Sequence, residues 1–267
     1  MDKKPLISVI TVVFNGALFL EKTIQSVSSQ LYDNVEFIVV DGKSSDATVD
    51  LIKKYEDKID CWVSEKDDGI FDAMNKGVGF AHGKYIIFMN AGDLFFDEFV
   101  INEIYRHCML NYDVVYGDRS NNKAEIVRAP KKIFKMALFR RGICHQSTFI
   151  KKKAFLRIGM YDTAFLLGGD HDWLIRACLA GLKFKYVPIP ICIYLGDGVS
   201  SNIIMQNEKI NRLRRKYYNS SERMLYGALD ILIRLLKRII NFDFKLPYFM
   251  KYVLTLLRDF ELKPHDK

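Results

Sequence analysis

The chain has 267 residues, of which 49% are hydrophobic and 27% charged, so it can form one large folded domain with an appendage. Its five cysteines show no paired spacing and no CxxC motif, which argues against a zinc site and predicts a reducing compartment. The first residues lack a signal-peptide pattern, and no uncharged apolar run approaches the roughly 18 residues of a membrane span. These features predict a cytoplasmic protein whose membrane contact is peripheral.

The positive charge is concentrated at the carboxyl-terminal end. The net charge is +8, and residues 205–267 hold 14 Lys and Arg against 7 Asp and Glu, so this tail accounts for +7. A near-neutral body with a basic tail favours an anionic partner surface, either a membrane or a nucleic acid. A plain solvated helix face is the alternative.

The first 65 residues alternate between two kinds of pattern. Apolar, β-branched runs predict strands at residues 6–14, 35–40 and 61–64. Apolar residues at helical spacing predict helices at 18–30 and 47–55. Strands and helices joined by such short connections predict right-handed crossovers and a parallel sheet.

The stretch YIIFMNAGD, residues 85–93, combines a strand with a polar end. Its apolar half predicts a strand buried on both faces, and Asn90, Ala91 and Gly92 then form a turn that ends in Asp93. Ligands of open α/β sheets lie outside the carboxyl ends of the strands. Asp93 is therefore a candidate for holding a hard cation, which would in turn bind a diphosphate. The alternative is that Asp93 caps a following helix.

Two earlier strands also end in polar residues, Asn15 and Asp41. The first strand is not followed by G-x-G-x-x-G, and the chain has no P-loop, so a nucleotide here would not be held by a glycine cradle. Asp41 is suited to accept a hydrogen bond from a base. For Asp41 alone, the favoured interpretation is a turn residue that caps its own backbone.

Residues 168–173, GGDHDW, form a second polar centre ahead of an apolar helical pattern. Asp170 and Asp172 stand in the first helical turn, where the helix dipole favours carboxylates. Either acid could instead be a general base that deprotonates an acceptor hydroxyl.

The tail has a basic cluster between Lys209 and Lys216, followed by apolar residues at helical spacing over 225–240 and again over 248–257. Amphipathic helices with Lys, Arg and aromatic residues can lie in a membrane interface. They can equally pack on the preceding domain, and the sequence leaves both alternatives open.

Several segments together carry a family resemblance. ISVITVVFNG, FIVVDGKSSDAT, EKDDGIFDAMNKG and YIIFMNAGD, followed by GICHQ at 142–146 and GDHDW at 169–173, resemble family 2 glycosyltransferases of the GT-A fold. The resemblance covers roughly residues 6–204, and it is strongest to bacterial enzymes that extend O-antigen or capsule repeat units. It implies an α/β fold of GT-A type with a mostly parallel central sheet flanked by helices.

The resemblance also implies a division of the chain. Residues 1–205 would form the GT-A domain, with a nucleotide-binding half (1–118) and an acceptor half (119–205). Residues 206–267 would form a basic, amphipathic helical extension.

On the donor side, the resemblance implies a nucleotide pocket, a covering segment at 68–77 and a turn that holds the metal. Asp41 would contact the uracil, and Asp93 would bind a divalent metal, Mn or Mg. The acids commonly found at the positions of Asn90 and Gly92 are missing, which leaves only Asp93 to touch the metal. The donor-binding residues implied are Thr11, Phe14, Asn15, Asp41, Asp68, Asn75, Asn90, Ala91 and Gly92.

On the acceptor side, the resemblance places the base at Asp170, with Asp172 as the second choice. His145 and Gln146 would border the donor and acceptor phosphates, and His171 and Trp173 would shape the acceptor pocket.

The function this implies is that of an inverting glycosyltransferase. It would move a hexose or N-acetylhexosamine from a UDP-sugar to a lipid-diphosphate-linked sugar, of undecaprenyl type, at the inner face of the cytoplasmic membrane. The alternatives are a sugar nucleotidyltransferase, which would want a glycine-rich basic loop after the first strand, and an inert sugar-nucleotide or membrane-binding protein. A nucleic-acid partner is not expected, because the tail has no recognition module.

Overall fold

The computed structural model describes residues 4–106, 111–122, 124–140, 142–194 and 203–241. Strands and helices largely alternate through these ranges, as the hydrophobic pattern predicts. In chain order they are β1 (Ile7–Val13), α1 (Ala17–Ser28), β2 (Val35–Asp41), α2 (Thr48–Lys54), β3 (Cys61–Ser64), α3 (Ile70–Phe80), β4 (Tyr85–Phe88), β5 (Leu94–Phe95), α4 (Val100–Arg106), β6 (Val114–Asn121), β7 (Ile126–Val127), α5 (Lys135–Arg140), β8 (Thr148–Lys151), α6 (Lys152–Ile158), α7 (Gly169–Leu179), β9 (Phe184–Tyr194), α8 (Ile203–Tyr217) and α9 (Ser220–Asn241).

The strands form one sheet in the order β3-β2-β1-β4-β8-β6-β9-β5, with β7 paired to β6. The run β3-β2-β1-β4 is parallel, and so is the pair β6 and β9. The other pairings are antiparallel: β8 lies between β4 and β6 and runs opposite to both, β5 pairs with β9, and β7 pairs with β6. The expected α/β class is confirmed, but the sheet is mixed rather than mostly parallel.

The sheet separates two apolar cores. Ile10 and Val12 of β1 pack into one core and Val9 and Val13 into the other, since successive strand residues point to opposite faces. Helices α1, α2 and α4 cover the second core, whereas α3, α5, α6, α7 and α8 cover the first. This double covering explains the continuous apolar runs of β1, β2 and β4.

Helices α8 and α9 complete the first core rather than form a unit of their own. Leu213 and Tyr218 are buried in it. Lys135 and Arg140 of α5 form ion pairs with α9, to Glu222 at 2.6 Å and to Asp230 at 2.8 Å. A boundary after residue 205 therefore does not separate two cores in the described part of the chain.

The opposite side of α9 faces outward and is apolar. Its exposed residues recur at helical spacing and form one stripe, called here the α9 stripe: Met224, Leu225, Ile231, Leu232 and Leu235. The described part of α9 packs on the domain with one side, and the membrane interpretation stays a prediction for its exposed apolar side. The second amphipathic pattern, at 248–257, lies outside the described residues.

Within the described ranges, every helix is too short or too polar to cross a bilayer.

Candidate active site

The turn from Asn90 to Asp93 is fixed at the carboxyl end of β4 by backbone hydrogen bonds. The Ala91 N–H donates to the carbonyl of Val12 at 3.2 Å, and the Gly92 N–H donates to Thr23 Oγ1 at 2.9 Å. Gly92 has a φ of 99°, a conformation that glycine adopts without strain. A strand, β5, follows at once, so Asp93 does not cap a helix.

Asp93 is buried, with 6% of its surface exposed. Its Oδ2 accepts a hydrogen bond from Gln146 Nε2 at 2.7 Å. Burial raises the pKa of Asp93 to about 6, although the Gln146 hydrogen bond and the charges of His145 and Arg119 act in the opposite direction. A nearby cation would therefore stabilise the ionised form.

His145 joins the Asn90 turn to the start of α7. Its Nε2 lies 3.2 Å from Asn90 Nδ2, and its Nδ1 lies 3.2 Å from Asp170 Oδ2. With the proton on Nδ1, the ring donates to the Asp170 carboxylate and accepts from the Asn90 amide. Burial opposes charge on this ring, but the hydrogen bond and charge of Asp170 raise the pKa of His145 above its usual value.

Asp170 stands in the first turn of α7, where its Oδ1 accepts the His171 N–H at 2.8 Å. Burial alone would raise the pKa of this carboxyl group. The charge of Lys209 and the hydrogen bond from His145 outweigh it and hold the pKa of Asp170 well below its usual range. Asp170 is therefore ionised at neutral pH, which a proton acceptor requires.

The oxygen donors near Asp93 suit a cation that completes its shell with phosphate and water. In the described ranges, no cluster of three or more His, Cys, Asp or Glu side chains is arranged to hold a metal unaided. The Asn90 side-chain oxygen, however, is buried without a hydrogen-bond partner, and the Asp93 N–H bonds to the Asn90 carbonyl at 2.9 Å in the same turn. Mg²⁺ is commonly held by one or two carboxylates plus substrate phosphates, so Asp93 and Asn90 fit such an ion.

Asp172, the second choice for the base, is fully buried and already paired. Its Oδ1 accepts hydrogen bonds from Tyr217 at 2.6 Å and Lys216 at 2.8 Å, and its Oδ2 accepts one from Arg176 at 2.9 Å. These contacts tie α7 to α8. The surroundings of Asp172 are those of a structural anchor, since both of its oxygens already accept hydrogen bonds.

His171 and Trp173 also lie in the interior. His171 Nε2–H donates to the Leu138 carbonyl at 2.7 Å, and burial with the charge of Lys209 lowers the pKa of His171 to about 4. The Trp173 ring stacks on Phe155 with a centroid distance of 5.1 Å. Both side chains position α7 and present no open surface to an acceptor.

Two of the donor-side residues are used within the fold. Thr11 is buried and donates its hydroxyl to the Met89 carbonyl at 2.6 Å, which fixes β1 against the end of β4. Asp41 is buried and accepts hydrogen bonds from the Ser64 hydroxyl at 2.6 Å and from the hydroxyl and N–H of Ser44. Asp41 thus caps its own turn, the interpretation favoured for this residue alone.

The other donor-side residues lie at the surface around this edge of the sheet. Phe14 is 65% exposed, and Asn15, with a φ of 48°, accepts the Ser45 N–H at 2.9 Å. Asp68 is exposed ahead of α3. The side-chain amide of Asn75 makes two hydrogen bonds with the backbone of Tyr161: its Nδ2 donates to the carbonyl at 2.9 Å, and its Oδ1 accepts the N–H at 3.0 Å. Side-chain hydrogen bonds thus join two groups of predicted residues: Asn90, His145 and Asp170 form one, and Asp93 and Gln146 form the other.

Two positively charged residues near the site, Arg119 and Lys209, are not among the site residues predicted from the sequence. Arg119 on β6 acts on Asp93 through its charge, and its guanidinium lies 5.0 Å from the Tyr194 ring centre. Lys209 on α8 acts on Asp170 in the same way. The available signal for Arg119 was one basic residue in the polar second half of a strand that begins apolar, whereas Lys209 was indistinguishable from its basic neighbours.

The comparisons with known proteins identify the family of the chain. The model of the family "Glycosyl transferase family 2" matches residues 8–169. A PGL/p-HBAD biosynthesis glycosyltransferase of Mycobacterium bovis (strain BCG / Pasteur 1173P2) is 28% identical over 216 residues, which cover 78% of this chain and 84% of the relative.

Solved structures share the fold at low sequence identity. The mannosyltransferase PcManGT from Pyrobaculum calidifontis, in complex with GDP-Man and Mn²⁺, superposes with a TM-score of 0.66 at 17% identity, covering 98% of this chain and 82% of that one. S. aureus TarS 1-349 in complex with UDP-GlcNAc superposes with a TM-score of 0.66 at 13% identity, covering 79% of this chain. This chain spans 65% of the TarS 1-349 chain, less than two thirds of its length. The family match covers more than half of the chain, and the protein therefore belongs to glycosyl transferase family 2, as a glycosyltransferase of GT-A fold.

Proposed function

We propose that the protein is an inverting glycosyltransferase whose base is Asp170 and whose donor diphosphate binds at Asp93. The observation that carries the proposal is the His145 bridge, which contacts Asn90 on one side and Asp170 on the other. This bridge ties an ionised carboxylate to the turn that presents Asp93. An inverting transfer needs both groups in one site, since attack and departure occur in a single displacement.

The chemistry follows from these positions. Asp170 takes the proton of an acceptor hydroxyl while its oxygen forms a bond to the anomeric carbon, and the bond from that carbon to the diphosphate oxygen breaks. The nucleoside diphosphate leaves, and an α-linked donor gives a β-linked product without a covalent intermediate. His145 and the His171 N–H orient the Asp170 carboxylate, each through one hydrogen bond.

The leaving diphosphate needs counter-charge. A divalent metal, Mn²⁺ or Mg²⁺, held by Asp93 and Asn90 would neutralise part of it when bound. Arg119 adds a guanidinium near Asp93, and guanidinium groups suit phosphate oxygens. The metal motif has only one acid, Asp93, and the Arg119 guanidinium would supply counter-charge to the diphosphate beside the metal.

The donor we propose is a UDP-linked hexose or N-acetylhexosamine, and the acceptor is a sugar on a lipid diphosphate of undecaprenyl type, in O-antigen or capsule assembly. The UDP-GlcNAc complex of TarS supports the donor class, whereas the GDP-Man complex of PcManGT makes a GDP-sugar the donor to test against it. The resemblance to O-antigen and capsule enzymes supports the acceptor.

We also propose that the protein works at the inner face of the cytoplasmic membrane, without spanning it. The α9 stripe offers exposed apolar side chains, and residues 205–267 bring a charge of +7. Apolar and basic surfaces together favour an anionic lipid interface.

Nucleotide release with purified full-length protein tests the function. UDP-sugars and GDP-sugars are supplied with Mn²⁺ or Mg²⁺, with and without synthetic lipid-diphosphate sugars, and free nucleotide and product are both measured. We expect UDP release that rises when a suitable acceptor is present, with inversion at the anomeric carbon seen by NMR. Tight UDP-sugar binding without release for any acceptor would instead indicate an inert binding protein. Conversion of the UDP-sugar to UTP and a sugar 1-phosphate when pyrophosphate is added would indicate a nucleotidyltransferase.

A further inference from the structure

Helix α8 presents several cations to the loop that leads into α7. Lys209, Arg212 and Lys216 recur at helical spacing along this side. Arg212 donates to the Ala164 carbonyl at 3.0 Å and stacks over the Phe165 ring, and Lys216 is bonded to Asp172. Lys209 differs, because no carboxylate of the described residues lies within ion-pairing distance of its ammonium.

The Lys209 side chain lies along Gly168, the residue before α7. A Cβ at position 168 would stand 2.7 Å from both Cγ and Cε of Lys209, closer than carbon atoms can approach. Gly168 also has a φ of 90°. Glycine is therefore favoured at this position for two reasons: its backbone is left-handed, and a Cβ would collide with the methylene groups of Lys209.

This passage brings the ammonium close to Asp170 without pairing it. The charge of Lys209 acts on Asp170 and on His171, the two residues at the start of α7. The charges that act on Asp93 are those of His145 and Arg119 instead. The charge of Lys209 therefore acts on Asp170 and not on Asp93.

We propose that Lys209 binds a phosphate group of the acceptor, so that the diphosphate of the lipid carrier is anchored beside Asp170. The proposal rests on the proposed transfer to a phosphate-bearing acceptor and names its first contact residue. A half-buried ammonium without a carboxylate partner is suited to a substrate anion, since binding costs it no existing ion pair. The same contact places an acceptor hydroxyl within reach of the base.

A binding measurement tests the site without requiring transfer. Inorganic pyrophosphate is titrated into full-length protein that is already saturated with UDP and Mn²⁺, so that the donor site is filled. Lys209→Met keeps the stem over Gly168 and removes the charge, Lys209→Arg restores a cation, and Arg215→Met removes an exposed cation from the same helix as the matched control. We expect Lys209→Met to weaken pyrophosphate binding by roughly 10- to 100-fold, as for a charged hydrogen bond, and the control to bind like the wild type.

A second experiment, based on kinetics, tests whether Lys209 recognises the diphosphate of a lipid-linked acceptor rather than a free phosphate. KM is measured for an acceptor sugar on a lipid diphosphate and for the same sugar on a neutral alkyl group. We expect Lys209→Met to raise KM for the first acceptor only, with UDP affinity unchanged and partial rescue by Lys209→Arg.

Two results would overturn the proposal. Pyrophosphate binding that is absent in the wild type, or equal in wild type and Lys209→Met, removes the site. Equal effects of Lys209→Met on both acceptors would mean that Lys209 acts only through Asp170. Failure of the proposed function is distinguishable, since it removes transfer while leaving the pyrophosphate measurement intact.

Discussion

Asp170 and Asp172 stand two residues apart in the first turn of α7, but their surroundings differ. Asp170 contacts a histidine that leads to the donor turn, whereas Asp172 is enclosed by Arg176, Lys216 and Tyr217. Residues i and i+2 on a helix do not face each other, so one helix start can serve catalysis and anchoring at once. These surroundings support the proposal of Asp170 as the base and assign Asp172 the role of a structural anchor.

For Asp172 we predict a loss of stability rather than of chemistry. Asp172→Asn removes the charge that pairs with Lys216 and Arg176 in a buried position, so the free energy of unfolding should fall by about 2–4 kcal/mol. Urea unfolding measures this. The matched control is Asp162→Asn, whose partially exposed pair with Lys216 spans 3.5 Å and should contribute less than about 1 kcal/mol. Equal effects of the two substitutions would contradict the anchor role.

His171 gives the protein a defined pH dependence of stability. Its pKa in the folded state is about 4, below the ordinary value of 6.5, because burial and Lys209 disfavour the charged ring. The unfolded chain therefore binds a proton that the folded chain excludes between these two values, and stability falls as the pH drops from 6.5 towards 4. The expected contribution is about 1.4 kcal/mol per pH unit within this window.

The check is denaturant unfolding at pH 7, 6 and 5 for wild type and His171→Gln. The free energy of unfolding of the variant should fall less steeply with decreasing pH over this range. The difference in slope should correspond to the uptake of about one proton on unfolding. His82, which is exposed and pairs with Glu36, supplies the control His82→Gln. An unchanged slope in His171→Gln would show that His171 is not held neutral.

At the scale of elements, α8 belongs to the catalytic core. Leu213 is 1% exposed and packs in the same core as Trp173 and Phe139. We predict that Leu213→Ala lowers the free energy of unfolding by about 2–5 kcal/mol, the usual range for a buried leucine. Leu225→Ala, in the exposed α9 stripe, should stay within about 0.5 kcal/mol of the wild type. Similar small effects for both would mean that α8 is dispensable for the fold.

The elements show which features the sequence could predict. The strands β1 to β4 followed from apolar runs, because burial on both faces leaves a local signal at every position. Asp93 followed from the same rule, since a polar residue after such a run must lie at the edge of the sheet. The local hydrophobic pattern was sufficient to predict features that depend on a single strand or helix.

Contacts between distant elements left no such signal. Asn75 meets Tyr161, which is 86 residues away, and Asp172 meets Tyr217, which is 45 residues away. Asp41 is satisfied partly by Ser64 of the neighbouring strand β3. The direction of these side chains depends on packing between elements, so their structural roles, like the nearness of Lys209 to Asp170, could be read only from the fold.

At the scale of the whole molecule, apolar and basic surfaces meet at the carboxyl-terminal end. We predict that the full-length protein pellets with anionic vesicles at low salt, and that replacing Leu225, Ile231 and Leu235 with Gln reduces the pelleted fraction. These residues face outward, so the fold should tolerate the change. The control replaces Leu156, Met160 and Leu179, which are also exposed but lie on other elements. Equal pelleting of both triple variants would contradict a membrane role of the α9 stripe.

In the proposed mechanism, Asp170 is the proton acceptor of sugar transfer. Asn is nearly isosteric with Asp and its amide oxygen can still accept the His171 N–H, so Asp170→Asn should retain the fold and the donor site. The decisive measurement is the rate of transfer by Asp170→Asn under saturating donor and acceptor, alongside its UDP affinity. We predict unchanged UDP affinity and a transfer rate reduced by roughly 10²–10⁴-fold. Transfer at close to the wild-type rate would contradict the assignment of Asp170 as the base.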